Sequence, residues 1–248
     1  MKKKEQVKVL NLSICGALHK SKNLPCQDYA CYKHKGKKTV AVVSDGAGSA
    51  KYGKIGAKTV AQTVCDFLLN SDFENIRTDI EKAIIHARDK VMLHRLNKTQ
   101  SEQNLADFSA TMIGAFYDGK RGVFFHIGDG AGIAFLSDDY QNFVISEPEN
   151  GAFSCETFFY TMKDWKNSLR YVEFSDIKRL VLMTDGVSGF VFDDFGQIRE
   201  NFLLPIMRYF DEETRKNYAL NALKNTLSST KAMHINSDDK TFLWAKFK

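Results

Sequence analysis

A chain of 248 residues, 44% hydrophobic and 26% charged, has the balance of an ordinary folded domain rather than of a membrane bundle or a disordered polymer. The net charge of +5 is carried mainly by lysine, and the basic runs MKKKEQVKVL and KHKGKK lack interleaved aromatics, so they point to a solvated surface and not to a nucleic-acid groove. Only three prolines and no Ser/Gly-rich tract leave no candidate linker, so one domain over 1–248 is expected. No stretch approaches the roughly 20 apolar residues that span a bilayer, and Asn11, Ser13 and His19 interrupt any signal-peptide apolar region. The five cysteines (Cys15, Cys26, Cys31, Cys65, Cys155) form no C-x-x-C pair and sit mostly in apolar runs, the habit of buried reduced thiols. The expected location is cytoplasmic, with no membrane contact.

Along the chain, β-branched and aromatic content predicts strands at 7–15, 28–33 and 38–44. Two long helical segments follow. In the first, at 55–70, Ile55, Val60, Val64, Phe67 and Leu68 recur at helical spacing, and in the second, at 76–97, Ile76, Ile80, Ala83, Ile84, Ala87 and Val91 do the same. Further strands are expected at 109–117, 122–128, 132–137, 142–146, 156–161 and 179–184, with Asp118-Gly119 making a hairpin turn between the first two. Helices are expected at 197–210 and 213–229. The closing TFLWAKF reads as a strand with Phe242, Trp244 and Lys246 on one face and Leu243, Ala245 and Phe247 on the other. Strands arrive in consecutive batches and helices in pairs, which is an α+β layout with mainly antiparallel sheets.

Asp-Gly occurs four times, where 19 Asp and 16 Gly in 248 residues give about one pair by chance before turn preference raises it. Three copies end an apolar run and precede small residues: VAVVSDGAGS, VFFHIGDGAG and RLVLMTDGVSG, holding Asp45, Asp129 and Asp185. A fourth acidic site, Asp238-Asp239, stands before the last strand. A carboxylate at a strand end is rigidly held yet reaches solvent, and several brought together need cations to neutralise them. All-oxygen ligands without His or Cys at ligand spacing suit Mg²⁺ or Mn²⁺. Glycine beside the aspartate allows close backbone approach, so that its carbonyl can also coordinate. A competing reading takes Gly48–Lys54 as the G-x-x-x-x-G-K of a phosphate-binding loop, but Ile55 replaces the hydroxyl residue that should grip the metal.

In order, these motifs resemble the metal-dependent serine/threonine protein phosphatases of type 2C, and most closely the compact bacterial branch. NLPCQDYACY is similar to the first motif, VVSDGAGS to the D-G-x-[AG]-G segment, and SATMIGAFYDGKRGVFFHIGDGAG to the Thr-rich strand, hairpin and G-D-S turn. LVLMTDGVSG resembles the [ST]-D-G-[LV] segment and SDDKTFLWAKF the closing D-[DN]-x-[ST] strand. The resemblance implies a four-layer α-β-β-α sandwich, two central antiparallel sheets flanked by helix pairs, with metals at one end of the sheets. It implies that Asp45 bridges two Mn²⁺ or Mg²⁺ ions, that the Gly46 carbonyl binds one, and that Asp185 and Asp238 complete the shell of the first. Asp129 would help to hold a third ion, and Asp28 would orient the attacking water. The substrate would be a phosphoserine or phosphothreonine protein, and a cognate serine/threonine kinase a partner by analogy.

The sequence departs from the family pattern at several places. Gln27 stands where a metal-binding Glu is usual, and Asn23 where an Arg holds the substrate phosphate. Lys22, His19 or Lys20 are the nearby cations that could take over that role. Ala47 replaces a His found in some members, and Gly130 replaces the Ser of the G-D-S turn. These departures are also those of a catalytically weak phosphoprotein-binding or regulatory module with the same fold, the alternative function. His126 is expected to be a sheet residue rather than a catalyst, and His86 and His94 lack a metal pattern. Glu147, Asn150 and Phe153 fall in the region of the family's variable substrate-facing flap.

Overall fold

The computed structural model describes residues 7–149 and 157–247. Chain order is β1 (Val7–Ile14), α1 (Ala17–Ser21), β2 (Tyr29–Lys35), β3 (Lys38–Ser44), α2 (Gly53–Leu68), α3 (Ile76–Met92), β4 (Met112–Tyr117), β5 (Arg121–Ile127), β6 (Ala131–Phe135) and β7 (Phe143–Ser146). It continues with β8 (Arg170–Ser175), β9 (Arg179–Met183), α4 (Asp185–Val191), α5 (Glu200–Glu212), α6 (Lys216–Leu227), α7 (Thr230–Ile235) and β10 (Lys240–Phe247). One sheet runs β1-β10-β9-β6-β7 and the other β2-β3-β4-β5-β8, and every strand pair is antiparallel. The α+β sandwich of two antiparallel sheets is therefore the observed fold.

Strand periodicity explains why the sheets stack. In β3, Val40 and Val42 face the layer made by α2 and α3, whereas Ala41 and Val43 face the other sheet. In β10, Phe242 and Trp244 pack against α5 and α6, and Leu243, Ala245 and Phe247 fill the space between the sheets. Both faces of each central strand are thus buried, which is why they read as continuous apolar runs instead of alternating ones. Lys246 shares the Trp244 face and ion-pairs with Asp211 of α5 at 2.9 Å. Because β3 lies between antiparallel neighbours, Gly48–Lys54 is not the loop of a parallel nucleotide-binding sheet.

Several expectations are corrected. The strand expected at 156–161 is, over its described part, a single bridge at Thr157 followed by a turn. Tyr160 crosses the sheet end there, its amide donating to the Ala110 carbonyl (3.2 Å) and its hydroxyl to that of Gly56 (3.1 Å). An edge strand, β8, forms instead at Arg170–Ser175, where Arg170, Glu173 and Ser175 break the apolar run. The helices α1, α4 and α7 were not expected; all are short, and α4 carries two glycines. Among the described cysteines only Cys65 is fully buried, while Cys15, Cys26 and Cys31 are partly exposed and Cys155 lies outside the described residues. No described helix is long and apolar enough to cross a membrane.

Leu243, with no solvent exposure, sits between the sheets and pairs with Leu182, three residues before Asp185. Leu243→Ala is expected to cost about 2–5 kcal/mol, measured by urea unfolding, as for other buried leucines.

Candidate metal centre

Three carboxylates converge at one end of the sandwich. Asp45 follows β3 of one sheet, Asp185 opens α4 directly after β9 of the other, and Asp238 precedes β10, the neighbour of β9. One oxygen from each lies within 4.8 Å of the others. The residues leading into β4 clamp the backbone of Asp45. Thr111 donates its amide to the Asp45 carbonyl (2.8 Å), its hydroxyl accepts from the Asp45 amide (3.1 Å), and Ala47 donates to the Ser109 carbonyl (2.9 Å). The two adjoining glycines serve close approach. A Cβ on Gly46 would lie 2.4 Å from the Gly53 carbonyl carbon, and one on Gly186 would lie 1.7 Å from the Asp239 oxygen. Side chains there would force apart the elements that carry the acids.

Around this trio is a set of buried polar groups. Asp28 is 3% exposed, and its Oδ2 accepts from the Thr184 hydroxyl at 2.8 Å. Thr184 in turn accepts from the Thr241 amide of β10 at 2.9 Å, which locks Asp28 to the sheet bearing Asp185 and Asp238. Asp239 accepts from the amides of Gly16 (2.6 Å) and Gln27 (2.5 Å) and pairs with His19 Nδ1 (2.8 Å). Lys240 is fully buried beneath, donating to the carbonyls of Asn236 (2.7 Å) and Asp238 (2.8 Å). It both caps α7 and places a positive charge behind the cluster.

Packing these acids together raises their proton affinity. Burial, then the charges of Asp129 and Asp238, push Asp185 up to about 7. Burial foremost pushes Asp28 up to about 6. Asp45 is held well above the usual carboxylate range by burial and by Asp28 and Asp185. Two buried oxygens, Asp28 Oδ1 and Asp185 Oδ1, have no hydrogen-bond donor. Buried oxygens without donors, beside three carboxylates close enough to share one ion through ligand bonds of about 2.0–2.6 Å, are the environment that hard divalent cations take. The donor set fits Mg²⁺ or Mn²⁺.

The family model for protein phosphatase 2C matches residues 15–228. The chain belongs to this family. Solved structures agree in fold: a bacterial serine phosphatase superposes with a TM-score of 0.68 at 14% identity, covering 98% of each chain. The serine/threonine phosphatase Stp1 from Staphylococcus aureus gives 0.67 at 14% identity, over 100% of this chain and 98% of that one. The catalytic domain of the serine/threonine protein phosphatase PstP, in complex with two manganese ions, gives 0.65 at 12% identity, over 97% of both chains. No curated protein matches the chain significantly. Family and fold support a metal-dependent protein phosphatase activity.

For a phosphatase 2C domain, the expected site residues distribute as follows. Asp45, Asp185 and Asp238 converge, and Asp28 stands behind them, bonded to Thr184. Asp129 is outside that trio; its Oδ2 accepts from Thr157 (2.9 Å), although its charge is felt at Asp185. Gln27 adjoins the carbonyls of Gly46 and Ala47. Lys22 is exposed at the C-cap of α1. His19, expected as a cation for phosphate, is instead 6% exposed with Nδ1 committed to Asp239. His126 is a buried sheet residue, as expected, touching Ser146 and Arg170. Glu147 lends its carbonyl to Arg170 (2.9 Å), while Asn150 and Phe153 lie outside the described residues. Sequence reasoning named Asp239 only as part of the acidic pair with Asp238 and missed Lys240, Thr184 and Thr111; the one available signal was the polar run D-D-K-T at the start of an otherwise apolar strand.

Raised carboxylate pKa values mean that the folded chain holds protons which the unfolded chain has lost, from the ordinary 3.8 up to about 7 for Asp185. Stability therefore falls as pH rises through that window. Without divalent cations the melting temperature is expected to drop by on the order of 10 °C between about pH 5 and about pH 8. Mn²⁺ should restore it at the higher pH and add little at the lower, where protons compete; scanning fluorimetry with and without chelator reads both.

Proposed function

We propose that the chain, as one domain, removes phosphate from phosphoserine and phosphothreonine in proteins, using a water activated between two divalent cations. The observation that carries this reading is the convergence of Asp45, Asp185 and Asp238 from two different sheets. Bound there, the cations would acidify a water and offset the charge on the phosphoryl oxygens. Asp45, Asp185 and Asp238 would hold one ion, and Asp45 with the Gly46 carbonyl would hold the other. Asp129, whose charge is felt at Asp185, would support a third. Asp28, with Oδ2 fixed by Thr184 and Oδ1 free, orients the attacking water and takes its proton. The water oxygen bonds to phosphorus as the bond to the seryl or threonyl oxygen breaks. Ala47 supplies no acid, so the leaving oxygen takes its proton from solvent. Lys22, exposed at the C-cap of α1, is the expected cation that would meet the phosphate. A cytoplasmic location and a cognate serine/threonine kinase as the source of substrate complete the reading.

The test is hydrolysis of a phosphothreonine peptide with Mn²⁺. Chelator is expected to abolish turnover, and Asp45→Asn and Asp185→Asn each to lower kcat/KM by about a hundredfold or more. Turnover that survives both substitutions, or none by the unaltered chain in Mn²⁺, would sink the proposal.

A further inference from the structure

Gln27 occupies an unusual position beside the acidic trio. Its backbone amide is fixed by the buried Asp239 carboxylate at 2.5 Å. Its side chain lies against Gly53 at the start of α2, where an added Cβ would stand 2.6 Å from the terminal amide atom that faces the carbonyls. The amide group faces two carbonyls, Gly46 O at 3.1 Å and Ala47 O at 3.2 Å. With the amide set so that its nitrogen, the only donor the side chain has, meets these two acceptors, both hydrogen bonds form. Gly46 is the residue whose carbonyl would ligate the second ion. That carbonyl is therefore satisfied by an N–H donor, and the positive end of the amide dipole points into the space the ion would enter.

We infer that Gln27 makes the two cation positions unequal: the Asp45–Asp185–Asp238 position takes its ion tightly, while the position at Asp45 and the Gly46 carbonyl fills only when the Gln27 amide turns away. This rests on the metal-dependent reading above and adds to it a built-in threshold. Of the groups assigned to the second position, Asp45 carries the negative charge and Gly46 offers a neutral carbonyl, and entry of an ion there costs the two hydrogen bonds of the amide. Turnover would then follow occupancy of the weaker position, so the chain would work as a phosphatase whose rate tracks free divalent cation.

Mn²⁺ titration of the full chain, followed by the electron paramagnetic resonance signal of free Mn²⁺, tests this directly. The unaltered chain is expected to bind one Mn²⁺ tightly and a second about tenfold or more weaker. Gln27→Glu replaces the donor by a carboxylate and should tighten the second ion by about tenfold, leaving the first within a few-fold. Gln27→Ala frees the carbonyl without adding charge and should give an intermediate second affinity; it also serves if the added carboxylate impairs folding, which circular dichroism would reveal. Two ions bound equally by the unaltered chain, or a second affinity unmoved by both substitutions, would overturn the inference while leaving the phosphatase reading intact. No bound Mn²⁺ at all would overturn both.

Discussion

Three carboxylates held within 4.8 Å of one another repel, and the fold must hold them there before any counter-ion arrives. The strain is visible in the raised proton affinities of Asp28, Asp45 and Asp185, whose largest cause is burial. What opposes it is the sandwich itself. Three apolar layers, one under each helix pair and one between the sheets, fix the strand ends to which the acids are attached. The site carries the cost of burying its carboxylates, to which their mutual repulsion adds, and a cation offsets both. Metal binding and stability are for that reason two views of one equilibrium in this protein.

Convergence alone would not give a usable geometry, because the acids come from two sheets joined mainly by apolar contact. Small hydroxyl residues make the polar stitching. Thr111 holds the Asp45 backbone from the neighbouring strand, and Thr184 links Asp28 to β10 across the seam. Asp239 extends the stitching to the N-cap of α1 through the Gly16 amide and to the loop before β2 through the Gln27 amide. Lys240 supplies the buried positive charge beneath, with its ammonium shared between two carbonyls. Each of these groups acts by placing another, so a defect in any of them would be felt as misalignment of the acids.

Gln27 shows how one uncharged side chain can change the character of such a centre without altering the trio. Exchanging a carboxylate for an amide removes a negative charge and adds a donor, and both changes oppose a cation at the same carbonyl. On the proposed reading, the departures at Asn23 and Ala47 would leave a lysine and water to meet the substrate phosphate and the leaving group. The acidic trio itself is intact.

The strand and helix order, the antiparallel grouping and the candidate acids Asp45, Asp185 and Asp238 were legible because each rests on local pattern: apolar runs of strand length, helical spacing, and Asp-Gly at strand ends. The two faces of TFLWAKF could be read for the same reason, since alternation fixes side-chain direction once a strand is granted. The edge strand β8 and the short helix α4 were not legible, because charges break the first and glycines the second, and only neighbouring strands and the packed core stabilise them. Nor could sequence separate His19 from Lys22 as partners for phosphate. That choice belongs to burial, and burial follows from where Asp239 lies, 220 residues away in the chain. Sequence determined which atoms could carry the chemistry; tertiary structure decided which of them face one another, because distance and desolvation exist only once the two sheets have closed.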